Sequence, residues 1–374
     1  MKILYVCNEL SNRNGWGVIN YHTVNEAVKA GHEVFVLSEQ NAKNDFISDK
    51  VKNFPILSSP GHISQDKISF VKIVLEIRII LKQEKFDIVH ILVEPYIAYF
   101  SLLKIENLYF TLVGTYSLSI LKGYIKGFFY RLGLKKVQKF FSISDYTKNQ
   151  FQINFSTKKE ITVVPLGVDF KVFNVDYNQS LKDALSFCLI GQVKARKGVI
   201  VAIRAIERLK VNYPEVKLYI AGDLNGSYAQ DCLSLVKDKN LQNNIIFLGY
   251  IGQQGVRDLY QKCIANVLPS VNAEDGAFEG FGLIHLEANA CYLPTIGSKN
   301  CGNESAIREG INGFLIDQNN DLELANKMKL IIELKLNSGY YTFAKKCYQY
   351  ASSQGWDNYF NSILKSYGTS GEIS

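Results

Sequence analysis

Short apolar runs alternate with longer amphipathic segments along almost the whole chain. In residues 2–7 and 33–38 the apolar side chains are nearly continuous, as in buried strands, whereas in 18–30 and 67–82 they recur every three or four positions, as in helices. Such alternation is typical of α/β units built on a parallel sheet. It occurs in two successive sets, and the predicted strands are 2–7, 33–38, 87–92, 109–113, 140–144 and 161–164 in the first and 186–190, 216–221, 245–248, 265–269, 294–297 and 313–316 in the second.

A polar stretch without clear periodicity separates the two sets. Residues 171–182 are rich in Asn, Asp, Gln and Ser, a composition typical of a linker. We therefore predict two Rossmann-like, doubly wound domains, an N-terminal one at 1–170 and a C-terminal one at 183–350. Because open parallel sheets bind ligands at the carboxyl ends of their strands, we expect the functional site in a central cleft between the domains.

The composition matches an ordinary globular protein. The 374 residues are 47% hydrophobic and 21% charged, with 27 Gly and 7 Pro, which excludes collagen and low-complexity proteins. The seven cysteines are scattered and form no Cys-x-x-Cys pair, which is typical of reduced thiols rather than of a disulfide scaffold or zinc ribbon. No apolar run reaches the roughly 18 residues that span a bilayer, and the N-terminus has a strand pattern rather than a signal peptide. We therefore expect a cytoplasmic protein.

One segment combines glycines with two carboxylates at the start of a predicted helix. In Glu279-Gly-Phe-Gly-Leu-Ile-His-Leu-Glu287, the backbone N–H groups near Phe281, Gly282 and Leu283 are placed to approach an anion. Glu287 lies about two turns along the helix. Carboxylates accept hydrogen bonds from sugar hydroxyls, which suits Glu279 for a hexose and Glu287 for a ribose. Taken alone, the pair favours the alternative, in which Glu279 caps a helix and Glu287 is solvated.

A basic turn follows the first strand of the second set. Gly191-Gln-Val-Lys-Ala-Arg-Lys-Gly198 carries Lys194, Arg196 and Lys197 between a strand and a helix. Cations at such a turn are suited to clamp phosphates. A solvated basic turn is the alternative interpretation.

Together these motifs resemble glycosyltransferase family 4, the retaining sugar-nucleotide enzymes of GT-B fold. The resemblance covers nearly the whole chain because the motifs occur in the family's order. They are Gly15-Trp-Gly17, Phe86-Asp-Ile-Val-His90, Thr111-Leu-Val-Gly-Thr115, Val163-Val-Pro-Leu-Gly-Val-Asp169, Gly191 to Gly198, Leu218-Tyr-Ile-Ala-Gly222, Phe247-Leu-Gly249, Leu268-Pro-Ser270, Glu279 to Glu287 and Asn312-Gly-Phe-Leu315.

The resemblance implies roles for individual residues. It implies that Glu279 contacts the donor sugar, that Glu287 holds the ribose, and that Lys197 with the Gly282 region binds the diphosphate. The residues expected at the donor are Glu279, Lys197 and Arg196 for catalysis and Gly191, Phe281, Gly282, Leu283 and Glu287 for binding. Those expected to line the acceptor side of the cleft are Gly15, Gly17, Gly114 and Thr115.

Three positions depart from the family pattern. Gln192 stands where the family usually has Arg, so Arg196 or Lys194 would have to replace a phosphate-binding cation. Val113 stands where the family commonly has His, which removes the imidazole expected near the reacting carbon. Tyr292 replaces a Gly before a Leu-Pro pair.

The sequence provides no support for a metal or a cofactor. The five histidines have no metal-ligand spacing with one another or with cysteines, and His90 at a strand end is interpreted as structural. A nicotinamide enzyme is a weak alternative, because Asn20 occupies the third glycine position of a fingerprint that begins at Gly15 and Gly17.

The function predicted from these motifs is retaining transfer of a sugar from a nucleotide-diphosphate donor to a glycan or lipid-linked acceptor. The resemblance implies a role in cell-surface polysaccharide synthesis. It is expected to be metal-independent. A non-catalytic sugar-nucleotide-binding partner subunit is the alternative, motivated by Val113 and Gln192. Intact Glu279, Glu287 and Lys197 favour the enzyme.

Two further segments carry predictions. Residues 118–141 contain six cations and no acid, interleaved with aromatic residues, which is typical of a contact with an anionic membrane surface; a solvated basic helix is the alternative. Residues 355–374 include a predicted helix that the resemblance places on the first domain, although it would equally close the core of the second.

Overall fold

The structure is a computed structural model that describes residues 1–42, 44, 48–63, 66–121, 124–177, 182 and 185–367. The chain divides into two units. The first unit consists of Met1–Leu166 and the C-terminal residues from Trp356 onward, and the second is Gly167–Gly355. Each unit is built on its own parallel sheet.

The sheet of the first unit has seven strands in the order β3-β2-β1-β4-β5-β6-β7. Leu4 of the central strand lies opposite Phe35 on one side and Val89 on the other, and all three are buried. Strands covered by helices on both faces bury every side chain, which is why their sequences are continuous apolar runs. The strands are β1 Lys2–Val6, β2 Glu33–Glu39, β3 Val51–Leu57, β4 Ile88–Ile91, β5 Leu108–Leu112, β6 Lys139–Ser142 and β7 Ile161–Val163.

Helices connect these strands, and several begin at a capping side chain. Asn14, Asp66 and Ser144 each accept a hydrogen bond from a backbone N–H of the first turn, which satisfies a donor without a partner in the helix. The helices are α1 Gly15–Lys29, α2 Lys67–Glu84, α3 Ile97–Phe100, α4 Thr115–Ser119, α5 Tyr124–Lys136 and α6 Asp145–Asn154, with a 3₁₀ turn at Glu94–Tyr96.

The sheet of the second unit has six strands in the order β10-β9-β8-β11-β12-β13. The strands are β8 Ser186–Ile190, β9 Lys217–Ala221, β10 Ile245–Gly249, β11 Ala265–Leu268, β12 Thr295–Ser298 and β13 Gly313–Ile316. The helices are α7 Phe170–Phe173, α8 Val199–Leu209, α9 Ser227–Asp238, α10 Gly252–Lys262, α11 Ile284–Ala290, α12 Asn303–Ala306, α13 Asp321–Leu336 and α14 Tyr340–Ser352. Their apolar faces form the core with the strands, as Ile203 and Leu218 illustrate, both fully buried.

In both sheets the chain reverses its winding direction beside the first strand. This switch lies between β1 and β4 in the first unit and between β8 and β11 in the second. Loops at the carboxyl ends of strands next to a switch point leave a crevice, where such folds bind ligands. The candidate residues of each unit lie in these loops or just beyond them.

The C-terminal helix α15, Trp356–Leu364, packs in the first unit. The ring of Trp356 stacks on His22 of α1, with 4.4 Å between ring centroids. Beyond the helix, the Tyr367 hydroxyl lies 2.5 Å from Nδ1 of His90, whose Nε2 is 2.8 Å from Oγ1 of Thr111. Burial lowers the pKa of His90 to about 3, so its ring is neutral and both nitrogens have protein partners, as suits a structural histidine.

The expected linker at 171–182 packs on the second unit where the structure describes it. Residues 171–173 belong to α7, and Phe173 is buried. The ring of Tyr177 contacts that of Tyr341 at 4.7 Å between centroids. Lys182 donates from Nζ to the carbonyl of Tyr260 at 2.7 Å.

Candidate functional site

The basic turn after β8 brings two cations to the carboxyl end of the second sheet. It is a 3₁₀ turn at Ala195–Lys197, which ends at Gly198. Gly198 has a φ of +65°, and a Cβ there would lie 1.8 Å from the carbonyl oxygen of Pro269. Only glycine fits this close approach, and it holds the turn against the loop that follows β11.

Arg196 and Lys197 converge on the carboxylate of Glu279. Nη1 of Arg196 lies 2.5 Å and Nζ of Lys197 lies 2.7 Å from the same oxygen, Oε2. Glu279 and Lys197 are buried, whereas Arg196 is partly exposed. Burial opposes ionisation of Glu279, but the two cations outweigh it and hold the pKa at about 2. Burial lowers the pKa of Lys197, and Glu279 opposes that shift. The cluster is therefore an ionised carboxylate held by two positive groups.

The loop that leads into α11 presents backbone N–H groups beside this cluster. Within the part of the chain that the structure describes, the amides of Phe281, Gly282 and Leu283 donate to no protein acceptor. Gly282 has a φ of +86°, in the left-handed region, and the amide of Gly302 donates to the carbonyl of Glu279 at 2.8 Å, which fixes the loop. Unbonded amides at a helix start attract anions.

Glu287 is the second carboxylate of this region. It lies on α11 and is half-buried. Its carboxylate has no hydrogen bond or ion pair to any described residue. Burial raises the pKa of Glu287 to about 7, and the charge of Lys197 opposes this shift. Glu287 thus offers acceptor oxygens that the described residues leave unused.

The structure shows where two of the residues that depart from the family pattern, Gln192 and Tyr292, lie. Gln192 and Lys194 are exposed, and Arg196 is the residue that joins Lys197 at Glu279. The φ of Tyr292 is +55°, the left-handed region that favours glycine, which accounts for the Gly common at this position in the family. Its ring stacks on Tyr348 with 4.2 Å between centroids, a contact that glycine would not make.

Two buried side chains behind the Gly282 loop were not predicted as site residues. A Cβ at Gly282 would lie 2.7 Å from Oδ1 of Asn303 and 3.1 Å from Nε2 of His285. Burial lowers the pKa of His285 to about 4, against the charge of Glu279, so the ring is neutral. Its Nδ1 contacts Oγ1 of Thr295. His285 was considered in the sequence only as a metal ligand, and the contact with Gly282 has no signal in residue spacing.

In the first unit, the predicted glycines lie around a buried carboxylate that the sequence analysis missed. Glu94 accepts hydrogen bonds from Nε1 of Trp16 at 3.1 Å, from the amide of Val113 at 2.9 Å and from Oγ of Ser117 at 2.9 Å. Burial raises its pKa to about 7, against these hydrogen bonds. Glu94 thus ties together the loops that follow β4 and β5 and the start of α1. The sequence signal was weak, because an acid after a strand has many ordinary roles.

The four residues expected on the acceptor side lie in these same segments. Gly15 begins α1 and is exposed, whereas a Cβ at Gly17 would lie 2.5 Å from Oγ of Ser11. Gly114 caps α4, which begins at Thr115. The rings of Trp16 and Tyr116, beside these residues, lie 4.5 Å apart between centroids. The predicted residues therefore lie next to the aromatic pair of Trp16 and Tyr116, in which Trp16 is hydrogen-bonded to Glu94.

The basic segment 118–141 is only partly available for a surface contact. Lys122 lies outside the described residues, as does the side chain of Lys126. Phe128 is 60% exposed, but Tyr130 is buried. Lys136 donates to the carbonyl of Leu103 at 2.7 Å, and Lys139 pairs with Glu160 at 3.1 Å. Among the helices of the described residues, none combines the length and hydropathy needed to cross a bilayer.

Comparisons with known proteins agree with this architecture. The model of glycosyltransferase family 4 matches residues 13–172, and that of glycosyl transferases group 1 matches residues 176–354. An uncharacterized glycosyltransferase of Methanocaldococcus jannaschii, MJ1178, is 28% identical over 252 residues, which is 66% of this chain and 64% of the relative. A D-inositol 3-phosphate glycosyltransferase of Mycobacterium leprae is 24% identical over 229 residues, 60% of this chain and 52% of the relative. The chain thus spans about half to two thirds of these curated relatives.

A solved structure extends the likeness to the entire fold. HepE of Anabaena, in complex with UDP and glucose, is 17% identical and has a TM-score of 0.77, with 99% of this chain and 100% of that chain covered. The predicted fold class, GT-B with two Rossmann-like units, is confirmed by this likeness and by the two sheets. The two family models together span most of the chain. The chain therefore belongs to the glycosyltransferases of family 4.

Proposed function

We propose that this protein transfers a sugar from a nucleotide-diphosphate donor to a glycan or lipid-linked acceptor, with retention of anomeric configuration and without a metal ion. The observation that carries the proposal is the convergence of Arg196 and Lys197 beside the unbonded amides of 281–283. Fixed cations and N–H dipoles stabilise negative charge, and the diphosphate of the donor is the group that leaves with such charge.

Glu279 and Glu287 take different parts of the donor in this proposal. Glu279 is ionised and held by two cations, so it accepts hydrogen bonds from hydroxyls of the transferred sugar at a fixed position. Glu287 has no protein partner among the described residues and accepts from the ribose hydroxyls. The complex of HepE with UDP and glucose makes UDP-sugars the first donors to test.

The chemical step we propose is a displacement on one face of the sugar. The bond between the anomeric carbon and the diphosphate oxygen breaks, and the acceptor oxygen bonds to the same carbon from the same face. The acceptor proton passes to the departing phosphate oxygen, so no protein base is required. Arg196 and Lys197 stabilise the charge on that phosphate until the proton arrives.

A non-catalytic sugar-nucleotide-binding subunit is the second candidate. It is favoured by Val113, which has no imidazole to offer a reacting carbon, and by Gln192, which is exposed and uncharged. The cation pair at Glu279 argues for the enzyme, because Arg196 supplies the charge that Gln192 lacks.

Donor consumption by the pure protein separates the two candidates. UDP-sugars and GDP-sugars are first screened by thermal shift, since a ligand stabilises the protein in proportion to the logarithm of its concentration over Kd. Release of nucleoside diphosphate is then measured in EDTA. We expect release to survive the chelator. Donor binding without release would favour the partner subunit, and release that requires an added divalent ion would contradict metal independence.

We further propose that the reaction takes place in the cytoplasm, at the inner face of the cell membrane, in the synthesis of a cell-surface polysaccharide. All seven cysteines are free and buried, as suits a reducing compartment. The membrane contact was expected at 118–141, where the exposed Phe128, Arg131 and Lys135 support it.

A further inference from the structure

Helix α2 is apolar on both of its faces, and the protein covers only one of them. Ile73, Val74, Ile77 and Ile80 are buried in the first unit. On the opposite side, Ile68, Val71, Leu75 and Ile79 are 52–81% exposed. Helices apolar all round are normally buried all round. The four exposed side chains have spacings of three and four residues, so they form one stripe about 16 Å long. We call them the α2 stripe.

The exposed side of α2 also carries an excess of positive charge, with the exposed capping residue Asp66 as an acidic neighbour at its start. Every exposed charged residue of the helix is basic, and these residues are Lys67, Lys72, Arg78 and Lys82. The acidic residues Glu76 and Glu84 are half-buried, and each pairs with lysine, Glu76 with Lys72 at 3.9 Å and Glu84 with Lys2 at 2.6 Å. An aliphatic stripe flanked by cations is the composition of a helix that lies in the interface of an anionic bilayer.

A second copy of the chain is a poorer partner for this face. A symmetric contact brings the same surface patch from both copies together, so it would bring two rows of cations close to each other, where like charges repel. A nucleic acid would satisfy the cations but leave the aliphatic stripe without an apolar partner. An anionic lipid leaflet satisfies both, because headgroup charge lies directly above acyl chains.

Helix α2 contacts the segment where the sequence predicted membrane contact, through the half-buried Phe70 rather than through the stripe itself. Phe70 of α2 lies 5.9 Å from Phe129 of α5 between ring centroids, and Phe129 in turn lies 5.7 Å from Phe128. Phe128 is exposed. We propose that the exposed face of α2 is the principal contact of this protein with anionic lipid, with α5 beside it. This inference rests on the proposed membrane contact and replaces 118–141 as its centre.

Vesicle sedimentation of the full chain tests this surface. We expect wild-type protein to pellet with phosphatidylglycerol vesicles at low salt, to pellet less as salt increases, and to stay in the supernatant with phosphatidylcholine vesicles. Replacing Lys67, Lys72, Arg78 and Lys82 by Gln should lower the partition coefficient by more than about tenfold, since each cation near an anionic leaflet contributes about 1 kcal/mol. The matched control replaces four exposed lysines of the second unit, Lys237, Lys329, Lys345 and Lys346, and should retain most of the binding.

A second variant tests the apolar half of the surface. Val71→Gln with Leu75→Gln keeps every charge and should also weaken binding, whereas Ile153→Gln with Leu336→Gln, at exposed apolar positions of other helices, should not.

The proposal is overturned if wild-type protein does not pellet, if the α2 variants pellet like wild type, or if only Lys135→Gln with Lys136→Gln lowers binding. If wild-type protein does not bind vesicles but self-associates, and the stripe variant abolishes this self-association, the face is instead a contact with a second copy of the chain. Donor turnover without vesicles is measured separately, so loss of lipid binding and loss of transferase activity are distinguishable.

Discussion

The two units hold their central carboxylates in opposite ways. In the second unit, Glu279 is paired with Arg196 and Lys197, and its pKa is about 2 despite burial. In the first unit, Glu94 is bonded only to neutral donors among the contacts described above, and burial raises its pKa to about 7. The carboxylate of Glu279 is ionised at neutral pH within a cationic cluster, whereas the pKa of Glu94 lies near neutrality.

This difference indicates that the two units bind different kinds of ligand. Arg196 and Lys197, with the unbonded amides of 281–283 beside them, are suited to a diphosphate, because its negative charge increases as it leaves the sugar. Glu94 accepts hydrogen bonds from Trp16 and from the amide of Val113, so it holds these two segments together without adding positive charge to the surface that they form. We therefore propose that the second unit binds the charged donor and that the first unit binds an uncharged part of the acceptor.

The largest effect is expected from Glu279→Ala. The change removes the acceptor proposed for the donor sugar and leaves Lys197 buried without its carboxylate partner. We expect turnover to fall by about 10²–10³-fold, as for other preorganised electrostatic groups. Release of nucleoside diphosphate from the donor measures it. Glu304→Ala, an exposed carboxylate of the same unit, is the control and should retain activity; equal losses in both variants would contradict the assignment.

Glu287→Ala should weaken nucleoside binding. Loss of hydrogen bonds to a charged group costs about 1.5–3 kcal/mol, or roughly ten- to a hundredfold in Kd. Titration calorimetry with uridine and UDP measures this, and both affinities should fall because both ligands contain the ribose. Unchanged affinity for both would remove Glu287 from the site.

The pH dependence of uridine binding tests the same carboxylate in the wild type. Burial raises the pKa of Glu287 to about 7, so the carboxyl is mostly protonated below that pH and mostly ionised above it. Ribose hydroxyls donate to the ionised form, and uridine affinity should therefore increase severalfold from about pH 6 to pH 8. Glu287→Gln should lack this increase. An increase of the same size in both proteins would assign it to another group.

The smallest effect concerns the stability of the first unit. Because the pKa of Glu94 is raised in the folded state to about 7, ionisation opposes folding, and the free energy of unfolding should decrease as pH increases from about 4.5 to 7. In Glu94→Gln this decrease should be smaller by about 1–2 kcal/mol. Both tryptophans, Trp16 and Trp356, lie in the first unit, so their fluorescence in urea reports its unfolding. Glu106→Gln, at an exposed position, should behave like wild type.

The fold could be predicted from the sequence because most strands have mainly buried residues. Continuous apolar runs predicted every strand except β3, which contains Lys52, Asn53 and Pro55. β3 lies at the edge of the sheet, where a strand tolerates proline and polar residues. The recurrence of apolar residues every three or four positions in α2 predicted a helix, but it could not show which of its two apolar faces is covered.

The site could be predicted only in part. Motif order led to Arg196, Lys197 and Glu279, which the fold brings within hydrogen-bonding distance although 83 and 82 residues separate the cations from the carboxylate. Glu94 was missed because its partners Trp16 and Ser117 come from distant segments, and only tertiary structure brings them together. The roles of individual residues and the acceptor remain predictions.

The measurement that tests the donor site most directly is the affinity of Lys197→Ala for UDP and for uridine by titration calorimetry. If Lys197 binds the diphosphate, the affinity for UDP should fall by roughly ten- to a hundredfold, whereas that for uridine should not change. Lys194→Ala, at an exposed lysine of the same turn, should bind both like wild type. Unchanged UDP affinity in Lys197→Ala, or an equal loss for UDP and uridine, would contradict a diphosphate site at this cluster.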